Sequence, residues 1–177
     1  MVKYVGALLL VMAFVTPALA QDYPQMELTF GYGNINVKDL VPGRHSGFVT
    51  YQTFNLTSKI ALENYLGYFG LGTDPNVGKI ELITDTFGGR FNIRTPGPVI
   101  YGSAGLGIGF LRFPQLGAGS NNSMAFKVGG GVDVPLNESF SVKGEVSRMS
   151  FHMSDNISSW KSGTNITAGI VFKMGGF

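Results

Sequence analysis

The sequence contains no cysteine, and charged residues make up only 14% of its 177 residues, against about 25% in an average soluble domain. Without cysteine, a disulfide-stapled scaffold and thiolate metal sites are excluded. The formal net charge of +2 predicts no basic surface for nucleic acid. After the first segment of the chain, no apolar run reaches the roughly 20 residues that a membrane-spanning helix requires.

The N-terminal segment has the pattern of a secretory signal. Lys3 precedes a short apolar run over residues 5–15, and Ala18 and Ala20 form an A-x-A cleavage site. The run is too short to cross a bilayer as a helix. We therefore expect residues 1–20 to be a signal peptide and residues 21–177 to form one domain.

Glycine and aromatic residues are plentiful, with 26 glycines and 12% aromatic side chains. A secreted, charge-poor chain without a membrane helix favours the other structure that can span lipid, which is the closed β-barrel.

Residues 164–177 alternate between two faces with a period of two, as a β-strand with one apolar and one polar face does. Similar alternation predicts eight strands, over residues 25–37, 47–56, 60–70, 79–93, 99–111, 124–134, 139–151 and 164–177. The fourth changes parity, so we expect a β-bulge near residues 84–89. Short turns alternate with longer loops, which include residues 71–78 and 153–163. Trp160 lies in the loop over residues 153–163. This pattern predicts an all-β, eight-stranded antiparallel up-and-down barrel with periplasmic turns and external loops.

Most charged residues of the strands lie on the face opposite the apolar side chains. They are Glu27, Glu63, Lys127, Asp133, Lys143, Glu145 and Lys173. A soluble ligand-binding barrel would turn its apolar face inward, whereas a membrane barrel turns it towards lipid. The low charge and the secretion signal favour the membrane barrel. We expect its interior charges to form an ion-pair network of Glu63, Glu81, Glu145, Lys127 and Lys143, with a gated ion path as the alternative.

Two regions resemble known outer-membrane proteins. Thr167, Gly169, Phe172 and Met174 resemble the C-terminal β-signal that the barrel-assembly machinery reads, and Phe177 resembles its closing aromatic residue. Residues 101–110 and 129–143 are similar to strands five to seven of OmpA-like barrels. The resemblance implies an eight-stranded barrel in the outer membrane of Gram-negative bacteria. Since the sequence stops at Phe177, we expect no peptidoglycan-binding domain.

A second resemblance suggests an enzyme. His152 and Ser154 resemble the His-x-Ser element of the outer-membrane lipid A 3-O-deacylases, in which serine is the nucleophile and histidine its general base. That family places Asn after the serine, where this chain has Asp155. It also places an acid about fourteen positions after the histidine, where this chain has Ile166 and Thr167. Without an acid to orient the imidazole, the catalytic triad is incomplete.

The sequence therefore predicts a non-enzymatic OmpA-like barrel that serves envelope structure, surface interaction or limited small-solute passage. The alternative is a lipid A deacylase-like hydrolase that uses Ser154 and His152. We expect no cofactor and no metal. The expected partners are outer-membrane lipids with lipopolysaccharide, and the barrel-assembly machinery through the C-terminal strand. We expect a monomer.

Overall fold

The computed structural model describes residues 23–37, 41–74, 78–112, 121–153 and 159–175. These residues form eight β-strands: β1 Met26–Asn36, β2 His45–Asn55, β3 Ile60–Asp74, β4 Gly78–Arg94, β5 Val99–Arg112, β6 Asn121–Pro135, β7 Phe140–Met153 and β8 Ser159–Met174. Within the described ranges there is no helix of the length and apolar character needed to cross a membrane.

The strands form one closed antiparallel barrel in which each strand pairs with its neighbours in the sequence and β1 pairs with β8. If registered partners are followed from Met26 through every strand, the path returns to β1 at Asn36, ten residues further along. Eight strands with this stagger are tilted by about 40° and leave an interior just wide enough for side chains. The predicted fold class is confirmed.

Side chains alternate across the barrel wall as the sequence predicts. The outer surface carries large apolar side chains, such as Phe30, Phe48 and Leu106, and Phe48 is 73% exposed. Glu27, Glu63, Lys127, Asp133, Lys143 and Glu145 are buried inside the barrel. The apolar face therefore points outward, as it does in a barrel surrounded by lipid, and not into a ligand cavity.

The strands extend further towards the external end than predicted. Residues 71–74 and 78 belong to the β3–β4 hairpin, where the turn-forming residues had predicted a loop. β8 begins at Ser159, so Trp160 lies in a strand and not in the last loop. Turn-forming residues at these hairpin ends are accommodated because Gly72 and Gly78 adopt positive φ angles of 103° and 76°.

The predicted bulge in β4 does not occur. The irregularity in the register between β3 and β4 lies in β3, between Gly70 and Gly72. The parity of β4 is continuous, and it is the apolar pattern that moves from one face to the other: Ile80 and Leu82 are apolar residues that face the interior, whereas Phe87 and Phe91 face outward. An apolar side chain therefore does not mark the outer face in this part of the barrel.

Candidate functional site: the filled lumen and the barrel surface

Among the described residues, seven buried charged side chains lie in the periplasmic half of the lumen, and we call them the ionic cluster. They are Glu27, Glu63, Arg90, Lys127, Asp133, Lys143 and Glu145. They come from β1, β3, β4, β6 and β7, and inward parity on each strand directs them to the same level of the barrel. Four of the five predicted network members are among them; Arg90 was missed, although its parity matches that of Asn92.

Arg90 lies at the centre of the ionic cluster. Its Nη2 donates to Oδ2 of Asp133 at 2.5 Å, and its Nη1 lies 3.6 Å from Oε2 of Glu27 and 3.6 Å from Oε2 of Glu63. Its Nε donates to Oδ1 of Asn92 at 2.7 Å. A single guanidinium thus bridges carboxylates from three other strands, which suits its planar set of donors.

Two lysines continue the cluster across the lumen. Nζ of Lys127 lies 3.1 Å from Oε1 of Glu63 and 3.0 Å from Oε1 of Glu145. Nζ of Lys143, a residue that is 0% exposed, lies 3.6 Å from Oδ1 of Asp133 and 4.0 Å from Oε2 of Glu63. Each buried charge therefore has at least one partner of opposite sign, the condition under which burial is tolerated.

Tyrosines complete the packing around the ionic cluster. The hydroxyls of Tyr51 and Tyr101 donate to the two oxygens of Glu145 at 3.1 Å and 3.0 Å. The Arg90 guanidinium carbon lies 3.8 Å from the centroid of the Tyr101 ring. These rings fill the space between the charges and add cation–π contacts.

The external half of the lumen is mainly apolar. We call its side chains the apolar cap: Ile35, Val37, Val49, Phe69, Leu71, Ile80, Leu82, Leu111, Ala125, Met149 and Phe151. Tyr51 and Tyr65 pack edge to face at 5.0 Å and separate the cap from the ionic cluster. Glycines make room for the larger side chains, because a Cβ at Gly33 would lie 2.9 Å from both Phe69 and Val49.

The periplasmic mouth holds an open cavity of about 450 Å³ beneath the ionic cluster. Arg94, Lys173 and Glu138 line it together with Glu27 and Asp133 from the cluster above. Nη2 of Arg94 lies 3.8 Å from Oε1 of Glu27 and donates to Oδ1 of Asn55 at 3.1 Å. The cavity is a shallow vestibule whose roof is the ionic cluster.

Glu81, predicted to lie in the lumen, is instead on the outer side of β4. Its Oε1 accepts a hydrogen bond from the Tyr68 hydroxyl at 2.7 Å and lies 2.7 Å from Nζ of Lys79. The prediction is wrong because the parity of β4 is continuous through this region, which turns Ile80 and Leu82 inward and Glu81 outward.

The proposed catalytic pair is only partly described. Ser154 and Asp155 lie outside the described residues. His152 lies near the end of β7 on the outward-facing side, and its ring packs 5.0 Å from the Trp160 ring. In the described part of the chain, no group of three or more His, Asp or Glu residues could hold a metal ion.

Polar side chains also occur on the outward face in the middle of β2, β3 and β4. Gln52 and Asp85 are exposed and Asn64 is half-buried. Nδ2 of Asn64 donates to Oδ1 of Asp85 at 2.7 Å and to the carbonyl oxygen of Thr86 at 3.3 Å. The sequence pattern did not draw attention to these residues, although Asn64 lies between Leu62 and Leu66 on the outward face of β3.

The sequence profile of the outer membrane protein beta-barrel domain family matches residues 6–173. No curated protein sequence is detectably similar to the chain. Solved structures with a similar fold include Neisserial surface protein A, which is 13% identical, with a TM-score of 0.64, 84% of this chain covered and 96% of that one.

Two further barrels of known structure are similar. OprG from Pseudomonas aeruginosa is 10% identical, with a TM-score of 0.60 and coverage of 89% of this chain and 99% of OprG. Ail of Yersinia pestis, solved with the heparin analogue sucrose octasulfate, is 18% identical, with a TM-score of 0.59 and coverage of 85% and 99%. At these identities the similarity concerns the fold.

Proposed function

Because the chain belongs to the outer membrane protein β-barrel family of the bacterial outer membrane, we propose that it is a non-enzymatic barrel that serves envelope structure and surface interaction. Its lumen is closed to solutes. The observation that carries this proposal is the filling of the lumen by two successive layers, the ionic cluster and the apolar cap. A solute would have to displace buried ion pairs and then pass between packed aromatic rings.

Conductance tests the closed lumen. Purified, folded protein reconstituted in a planar bilayer should give no stable current steps, because neither layer leaves a continuous aqueous path. Boiled, unfolded protein at the same concentration controls for detergent leakage. Reproducible ohmic steps from the folded protein alone would overturn the closed lumen and restore limited solute passage as the function.

For the surface role, we propose lipopolysaccharide as the lipid partner, bound at the external ends of β7, β8 and β1. Arg148 faces outward there beside Thr164, its registered partner, at the level where the apolar Val146 and Ile166 give way to polar side chains. Arg44 lines a concave patch with Asn34 and Thr164. Cationic and amide groups at this level match the phosphates of lipid A. The complex of Ail with sucrose octasulfate is consistent with an anionic ligand for a barrel of this fold.

The amount of lipopolysaccharide that the purified folded protein retains is a measure of this contact. Arg148→Gln should lower the retained amount, whereas Lys59→Gln, in an exposed turn at the opposite rim, should not. Equal retention by the two variants would count against the site.

We also propose that the C-terminal strand is read by the barrel-assembly machinery. Phe172 and Met174 project outward from β8, and Phe172 packs edge to face on Phe30 of β1 at 5.9 Å. Phe172→Ala should slow the appearance of the heat-modifiable folded band after pulse labelling in cells. Unchanged kinetics would contradict this role.

The alternative function is lipid A deacylation by Ser154 with His152. Mass spectrometry of lipid A from cells that express the native chain or Ser154→Ala decides between the two functions. The non-enzymatic proposal expects identical acylation. A fatty acid lost only with the native chain would establish the hydrolase.

A further inference from the structure

The lipid-facing surface differs between the two sides of the barrel. In the middle of β5 to β8 the outward side chains are apolar or small, as at Leu106, Val128, Val146 and Ala168. On β2 to β4, by contrast, Gln52, Asn64 and Asp85 face outward on adjacent strands. We call these three residues the polar track. Hydrogen-bonding side chains in the middle of the outer surface are therefore concentrated on one side of the barrel.

The polar track lies among mainly apolar side chains, although Thr50 also faces outward next to Gln52. Gln52 and Asn64 are registered partners across β2 and β3. Phe54 follows Gln52 on the outward face, and Leu62 and Leu66 flank Asn64. The two amides thus lie within the apolar band, where neither water nor headgroups satisfy them. Unsatisfied polar groups in hydrocarbon cost several kcal/mol each.

Only part of the hydrogen-bonding capacity of the track is used within the chain. The Asn64 amide nitrogen donates to Asp85 and to the Thr86 carbonyl, which fixes its orientation. Among the described residues, no hydrogen bond engages Oδ1 of Asn64 or the side-chain amide of Gln52. An acceptor and a donor are thus presented side by side, on neighbouring strands.

We propose that two copies of this chain associate side by side in the membrane through β2 and β3. The Gln52 amide of each copy donates to Oδ1 of Asn64 in the other. A two-fold axis along the membrane normal makes the two hydrogen bonds equivalent, as in the isologous contacts of most dimers. Identical insertion places the groups of both copies at matching depth. This association replaces the monomer expected from the sequence.

Other occupants fit the track less well. Acyl chains offer no hydrogen-bonding partner, and a lipid phosphate would be repelled by the Asp85 carboxylate next to Asn64. A second copy supplies both the donor and the acceptor, and its Leu66 and Phe54 side chains provide an apolar surround. Polar side chains are a recognised source of specific association between membrane-spanning segments.

Single cysteines test the proposal cleanly, because the chain has none of its own. Leu66→Cys places a thiol beside Asn64, and Val146→Cys places one on the far wall, also facing lipid. In native outer membranes, mild oxidation should give a disulfide-linked dimer at least tenfold more abundantly with Leu66→Cys. Equal yields, no dimer, or cross-linking to a different protein would each overturn the proposal.

Removal of one amide sharpens the test. In the Leu66→Cys background, Gln52→Met keeps the side-chain volume but removes the donor, and should lower the dimer yield about fivefold. Leu106→Met, at an outward position on β5 away from the polar track, is the control and should leave the yield unchanged. The shift in gel mobility on boiling shows that each variant is folded. An undiminished dimer with Gln52→Met would rule out the amide contact.

Discussion

The two halves of the lumen are filled by opposite chemistry within one wall. The periplasmic half holds the ionic cluster, in which Arg90 and two lysines form ion pairs with four carboxylates. The external half holds the apolar cap, which packs Phe69, Phe151 and aliphatic side chains around glycines. Both halves exclude solvent, but they depend on their residues in different ways.

In the ionic cluster, each side chain is needed because its partners are already buried. Loss of one cation increases the buried negative charge that the remaining cations do not compensate, whereas exchange of a whole buried pair for apolar groups can be neutral. In the apolar cap, a side chain can be replaced by another of similar volume at little cost. The apolar cap therefore constrains the volume of its side chains, whereas the ionic cluster constrains which residues must occur together.

The largest effect is expected at Arg90. Arg90→Met removes the group that bridges Asp133, Glu27 and Glu63, so the free energy of unfolding should fall by about 3–5 kcal/mol, the cost of breaking a buried ion pair. Urea unfolding in detergent micelles, followed by the heat-modifiable band, measures it.

Arg94→Met is the matched control for Arg90→Met. The Arg94 side chain is 21% exposed at the vestibule, against 1% for Arg90, so solvent can reach the partners of Arg94 in the variant and the loss of stability should be smaller. A loss at Arg94 as large as that at Arg90 would mean that burial in the cluster does not determine the cost.

A smaller effect is expected in the apolar cap. Phe69 is fully buried, so Phe69→Ala should lower the free energy of unfolding by about 3 kcal/mol through lost burial and a cavity. Phe69→Leu keeps most of the volume and should cost less than about 1.5 kcal/mol. The same urea titration applies, and a Phe69→Leu variant as unstable as Phe69→Ala would show that shape, not volume, governs the cap.

Period-two alternation predicted the number of strands and placed the ionic residues on one face, and the alternation of short turns with longer loops predicted the antiparallel order. The low charge and the secretion signal were needed to direct the ionic face inward. Period-two alternation could not predict the apolar cap, because an inward Ile80 and an outward Phe87 are the same kind of residue to a pattern search. The shift of the apolar pattern in β4 was therefore interpreted as a bulge, and Glu81 was assigned to the lumen.

The contacts within the ionic cluster could not be predicted either. Glu63 on β3 and Lys127 on β6 meet because the barrel closes with a particular stagger, and their sequence separation carries no sign of it. The polar track was present in the sequence as Asn64 between Leu62 and Leu66. Its meaning depended on Asp85 from the neighbouring strand.

The smallest effect expected is the coupling between Lys127 and Glu145, whose charged atoms lie 3.0 Å apart. In a double-mutant cycle of Lys127→Met and Glu145→Gln, the two losses should fall short of additivity by about 2 kcal/mol, as for groups in direct contact. Gln at position 145 keeps an oxygen that can accept from Tyr51, so the cycle reports the ion pair.

The coupling should persist in high salt, because buried pairs are weakly screened. The control is the pair of Lys79 and Glu81 outside the lumen, 2.7 Å apart, whose side chains are 54% and 10% exposed. Because Lys79 reaches solvent, the coupling of this pair should be smaller and should weaken in high salt. Equal couplings for the two pairs would show that the lumen does not set the buried charges apart from those at the surface.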